Sequence, residues 1–141
     1  MRVTTRGRYA LRASIALAKI GKAGTPVSIN HLAEIENISS VFLEQIFFKL
    51  RKAGIVNSIR GPGGGFSFAV PLEELTVRQI LEAAGEELCL NACDKHGPKC
   101  TRIGDCLSHH VWDDLAILVN NYFSGITLAS LIDNREDILN D

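Results

Sequence analysis

The sequence has no apolar run approaching the roughly 20 residues that a membrane-spanning helix needs. Its opening, Met1-Arg2-Val3-Thr4-Thr5-Arg6-Gly7-Arg8, leads into an amphipathic segment, not an unbroken apolar one, and does not read as a secretory signal. Together these absences point to a cytoplasmic protein. Nucleotide-gripping loops are missing too: neither G-x-x-x-x-G-K-[ST] nor G-x-G-x-x-G occurs between a strand and a helix. There is no nucleophile elbow and no pair of catalytic carboxylates, so nothing supports an enzyme. What remains is a chain of 141 residues, 46% hydrophobic, long enough for one compact domain with an appendage.

The cysteines are few and gathered. All four lie between Cys89 and Cys106. From Cys93 onward the spacing is C-x6-C-x5-C-x2-H, through Cys100 and Cys106 to His109. Gly, Pro, Lys, Asp and Thr fill the gaps, with almost nothing a core could use. A loop this polar needs something other than hydrophobic burial to order it, and thiols stay reduced in the cytoplasm. A metal ion or an iron–sulfur cluster fits that need. Cys106 and His109 fall on one face of a helix start, where the dipole favours thiolate charge. His110 reaches the same face, and His96 sits mid-loop, so spacing alone does not choose the histidine. Cys89 is either an alternative ligand or a buried free thiol. Zinc is the alternative occupant for any set of three cysteines and a histidine.

The net charge of −1 conceals a division. Residues 1–65 carry ten Lys/Arg against three Asp/Glu, +7; residues 66–141 carry five against thirteen, −8. That pattern suits a basic face for an anionic polymer joined to an acidic half that avoids it.

Along the chain, Thr4 or Thr5 caps a helix over 6–20, with Tyr9, Ala13, Ala16, Leu17 and Ile20 inward. Arg2, Arg6, Arg8 and Arg12 cluster near its start, where they oppose the dipole; an external anion explains them better than stability does. Ser28 caps a short helix over 29–36, ended by Asn37. Ser39 or Ser40 caps the next, which runs to Ala53 and stops at Gly54, with Leu43, Ile46, Phe47 and Leu50 inside. Residues 55–60 and 66–70 read as two strands around the tip Gly61-Pro62-Gly63-Gly64-Gly65, with Arg60 at the edge. The layout is a helix-turn-helix followed by a two-stranded wing. Thr76 and Gln79 form a capping box for a further helix. A long helix over 107–123 carries the apolar stripe Val111, Leu115, Leu118, Val119 and Tyr122, which suits symmetric pairing with a second copy. A last short helix covers 128–132. The expected fold is mainly α with a small β wing. It divides into a DNA-binding head (1–85), a cysteine-rich loop (86–106) and a dimerisation helix with tail (107–141).

Met1 to Ala10, Leu43-Glu44-Gln45, Leu50-Arg51-Lys52, Arg60 to Gly65, Cys106-Leu107-Ser108-His109 and Trp112-Asp113-Asp114-Leu115 together resemble the bacterial IscR-like iron–sulfur cluster regulators. The resemblance implies a dimeric winged helix-turn-helix transcription factor with one 2Fe–2S cluster per subunit, held by Cys93, Cys100, Cys106 and His109. It implies base reading around Ser39, Ser40, Val41, Phe42, Glu44 and Gln45, with Arg60 in the minor groove beside Gly61, Pro62, Gly63 and Gly64. The DNA partner would be a palindromic operator, and the genes those of iron–sulfur cluster assembly. Cluster occupancy changes which sites such proteins bind, and a glutamate matching Glu44 helps the cluster-free form discriminate. Val41 departs from the family's small hydroxyl residue, and Phe42 replaces a tyrosine, so the operator can differ. Related nitric-oxide sensors add an acidic ligand near the N-terminus; Arg6-Gly7-Arg8 has none, which favours the histidine-ligated cluster. The alternative is a zinc-stabilised or thiol-redox transcriptional regulator without a cluster.

Overall fold

The computed structural model describes residues 2–21, 24–88, 102 and 104–139, the last six as backbone only. The order is α1 (Thr5–Ile20), α2 (Ile29–Glu36), α3 (Ser40–Lys52), β1 (Val56–Ile59), β2 (Gly65–Phe68), α4 (Val77–Ala83), α5 (Leu107–Ser124) and α6 (Leu128–Leu139).

Each helix of the head begins at a hydroxyl cap. Thr4, in extended conformation, accepts the Gly7 N–H at 3.3 Å and starts α1. Ser28 accepts from His31 N–H and Ser39 from Phe42 N–H, fixing the starts of α2 and α3. Such a cap contributes about 1 kcal/mol by satisfying an otherwise unpaired donor. The stops are equally local. Asn37 takes the left-handed conformation after α2, and Gly54 does so after α3.

The core forms where α1, α2 and α3 meet. Leu43, Ile46, Phe47 and Leu50 of α3 are fully buried against Ala10, Ala13, Leu17 and Leu32. Each large apolar side chain withdrawn from water stabilises by about 1.5–3 kcal/mol. Tyr9 is only partly buried, and Ile20 lies 37% exposed, because the last turn of α1 overruns the core.

β1 and β2 pair antiparallel, with Val56 opposite Phe68 and Ile59 opposite Gly65. Val27, just before α2, exchanges two backbone hydrogen bonds with Phe66 (2.9 and 2.8 Å). Gly65 permits this approach: its φ is +148°, and a Cβ there would lie 2.2 Å from the Val27 carbonyl oxygen. The Phe47 and Phe66 rings, 5.1 Å apart, seat the wing on α3.

Thr76 and Gln79 form the expected reciprocal cap of α4. α5 packs on α4, and the chain then returns to the head. The Leu128 N–H donates to the Leu75 carbonyl at 2.8 Å, and the Leu128 side chain is fully buried in the core. α6 runs to Leu139, not to about Ile132 as expected; residues 133–139 hold no glycine or proline to stop it. Among the described residues no helix is long and apolar enough to cross a membrane.

Candidate nucleic-acid interface and cysteine centre

The buried side of α3 leaves Val41, Glu44, Gln45 and Phe48 on the opposite side, at the three- and four-residue spacing of one helical face. Val41 is 63% exposed and Phe48 52%. The Arg51 guanidinium and the Lys52 ammonium lie 5.8 and 5.5 Å from the Phe48 ring centre, so the far end of this face is cationic. Ser39 is exposed and Ser40 half-buried. Phe42 is half-buried too, edge-on to Tyr9 at 5.7 Å. Beside α3 runs a groove lined by Arg2, Thr4, Thr5, Arg6, Phe42, Gln45 and Lys49. It joins the start of α1 to the exposed face of α3.

The wing supplies a second projection. Arg60, Gly61, Pro62 and Gly63 are exposed and Gly64 is half-buried. The tip is held by Gly64 N–H donating to the Gly61 carbonyl at 2.9 Å. Arg51 donates to the Ser58 hydroxyl at 3.2 Å, tying the end of α3 to β1. One arginine leaves the basic cluster expected from sequence. Arg12 donates to the Glu36 backbone carbonyl at 2.6 Å, pairs with its carboxylate at 3.1 Å and covers the Tyr9 ring. It braces α1 against α2 and is not waiting for an anion.

Glu86, at the start of the expected loop, turns back into the head. Glu86 is 8% exposed. Its Oε1 accepts from the N–H of Thr4 and of Gly7, both at 3.1 Å, and from the Thr4 hydroxyl. A carboxylate therefore sits on the N-terminal end of α1, where the helix dipole favours it. Gly7, a glycine in the first turn of a helix, was the sequence signal for such a close approach.

Of the cysteine centre, Cys89, Cys93, His96 and Cys100 lie outside the described residues. Cys106 and His109 stand at the start of α5. The Cys106 sulfur is 3.2 Å from the Ser108 hydroxyl. That hydroxyl and then the His109 N–H favour the thiolate, holding the thiol below its ordinary value against a small opposing effect of burial. His109 is 8% exposed, and its Nδ1 is buried with no hydrogen-bond partner among the described residues. His110 points outward, its ring 5.9 Å from that of His109. A thiol disposed toward the thiolate and a buried imidazole nitrogen, three residues apart at the start of α5, are donor types suited to iron or zinc.

Beyond this pair, α5 presents Leu107, Val111, Leu115, Leu118 and Tyr122, all exposed, as one stripe roughly 22 Å long. Residues 3–134 match the profile of the Rrf2 family, described as iron-dependent transcriptional regulators. The chain belongs to the Rrf2 family. It is thus a transcriptional regulator of the winged helix-turn-helix type and not an enzyme. This Rrf2 protein is 37% identical over 136 residues to the HTH-type transcriptional regulator IscR of Escherichia coli, covering 96% of its own length and 83% of that relative. It superposes on IscR of T. potens with a TM-score of 0.77 at 29% identity, over 98% of this chain and 90% of that one. CymR, the global cysteine regulator of B. subtilis, superposes with a TM-score of 0.78 at 27% identity, over 95% and 98%.

Proposed function

We propose that this Rrf2 protein is a cytoplasmic, homodimeric DNA-binding regulator of the IscR kind. Cys93, Cys100, Cys106 and His109 of its cysteine-rich loop (86–106) hold a 2Fe–2S cluster. The head (1–85) reads a palindromic operator, and the helical tail (107–141) pairs the two copies. Cluster occupancy selects among operators, those of iron–sulfur cluster assembly genes included. A bound cluster supplies sensitivity to iron and to oxidants.

The observation that carries the cluster reading is the His109–Cys106 pair. A buried imidazole nitrogen without a partner costs about 1–3 kcal/mol unless something satisfies it. A ligand bond is one way to satisfy it; among the described residues the buried nitrogen without a partner belongs to His109, and His110 is exposed. The exposed α5 stripe supports a second copy as its cover, since contiguous apolar surface on one helix face favours association. Ser39, Ser40, Val41, Phe42, Glu44 and Gln45 take the reading role at the start and exposed face of α3. Arg60, with Gly61, Pro62, Gly63 and Gly64, enters the adjacent minor groove. The glycines let the wing backbone approach the DNA closely.

The test is anaerobic purification with a visible spectrum and assays of iron, sulfide and zinc on one sample. Iron and acid-labile sulfide in equal amounts, about two of each per chain, with the absorption lost in His109→Ala and kept in His110→Ala, is the expected result. A colourless sample with about one zinc per chain would make the loop a structural clasp.

The second reading, thiol-based regulation without a cluster, has its own support. Cys106 is disposed toward the thiolate, and CymR shares the fold. It leads to reversible oxidation of the loop cysteines and a colourless protein.

A further inference from the structure

Glu86 is the only buried carboxylate among the described residues, and neither operator reading nor cluster ligation uses it. It bridges the two. Backward, its Oε1 takes the Thr4 and Gly7 N–H groups at the start of α1. One residue earlier, Gly85 offers its carbonyl to the Arg6 guanidinium at 3.2 Å. Forward, the chain leads from Glu86 to Cys93, seven residues on.

The contact is built into the sequence on both sides. A Cβ at Gly7 would lie 2.5 Å from Cγ and Oε1 of Glu86. Alanine there would favour the helix, so glycine is a sacrifice of helix propensity that admits the carboxylate. The helix start so held carries Arg2 and Arg6 on the wall of the groove beside Gln45 and Lys49 of α3. Glu86 is not part of that wall. It grips the helix from the interior.

We propose that Glu86 is a positioning residue for DNA binding: its buried carboxylate holds the start of α1, and with it Arg2 and Arg6, in place beside α3 to meet a DNA phosphate. The inference rests on the DNA-reading part of the proposed function and is independent of the cluster.

A carboxylate at a helix N-terminus also competes with phosphate for the same dipole, and removing a competitor tightens binding. The two roles differ in sign, which makes the test sharp. The probe is a random-sequence DNA duplex, and the protein is the full chain, metal-free, as wild type, Glu86→Ala, Gly7→Ala and the double variant. Affinity is measured between about 50 and 200 mM salt. Folding at the assay temperature is checked by thermal melting. Gly7→Ala keeps a helix-forming residue in α1 and displaces the Glu86 side chain, whose Cγ and Oε1 it would meet, so it breaks the same contact from the other side.

Each single variant is expected to bind about tenfold more weakly at the low-salt end and to flatten the slope of log K against log salt by about one to two units. The double variant is expected to be no weaker than the worse single, because both changes break one contact. A merely structural role would leave Gly7→Ala at the wild-type affinity and slope, which overturns the inference. Tighter binding in either single variant, or additive losses in the double, overturns it as well. A wild type that shows no salt-dependent binding to duplex DNA overturns it together with the DNA reading beneath it.

Discussion

Val41 stands just inside the start of α3, 63% exposed, and offers methyl groups where a hydroxyl would offer a hydrogen bond. In the major groove its natural counterpart is the thymine 5-methyl. Replacing the facing thymines with deoxyuridine is expected to weaken wild-type binding by about 0.8 kcal/mol, roughly fourfold, the worth of one buried methyl-sized group. Val41→Ser should show no such loss. If wild type tolerates deoxyuridine throughout its operator, Val41 meets no methyl. Arg60→Ala, read by fluorescence anisotropy, is expected to cost about 1–3 kcal/mol of operator affinity. Much of this scale was legible from sequence. The caps Thr4 and Ser39 and the buried set of α3 follow from spacing that acts over three or four residues. Spacing left His109 and His110 equivalent; the structure buries the first and exposes the second. The contacts of Glu86 and Arg12 were not legible because their partners lie 79 and 24 residues away in sequence, beyond the reach of any local pattern.

Among the elements, α5 and the wing carry the sharpest expectations. Leu118 is 65% exposed and sits mid-stripe on α5. Leu118→Lys removes little from the head, so its Tm should stay near wild type while sedimentation shows a monomer. A dimer in that variant would place the subunit contact elsewhere. Phe47→Ala acts in the reverse sense. It empties a fully buried site between α3 and Phe66 and is expected to cost about 3–5 kcal/mol of stability in denaturant unfolding. Element boundaries were read well where a cap and a breaker bracket the helix, as Ser28 and Asn37 do for α2. They were read poorly where neither is present. α6 outruns its expected end because nothing in 133–139 interrupts it, and acidic character alone does not unwind a helix docked at Leu128.

Across the whole molecule the two halves differ in formal charge, +7 for residues 1–65 and −8 for residues 66–141. The basic half holds α3, the first strand and tip of the wing, and the groove; the acidic half holds α5 and the tail. Operator affinity should therefore fall steeply with salt, as counterions displaced from phosphate return. A flat salt response would remove the head as the DNA reader. The core, completed by Leu128, and the α5 stripe contain no cysteine, so Cys100→Ala is expected to lose visible absorption yet stay folded and dimeric by sedimentation. The family was legible because its residues recur along nearly the whole chain. The occupancy of the cysteine loop was not, since the same donors serve iron and zinc. The central claim is that cluster occupancy sets operator choice. It is tested most directly by selecting duplexes from one randomised pool with the cluster-loaded protein and with the metal-free protein, side by side. Two different preferred sequences, with the loaded protein's preference lost in His109→Ala, is the expected result. One shared preference, unmoved by loading, would contradict it.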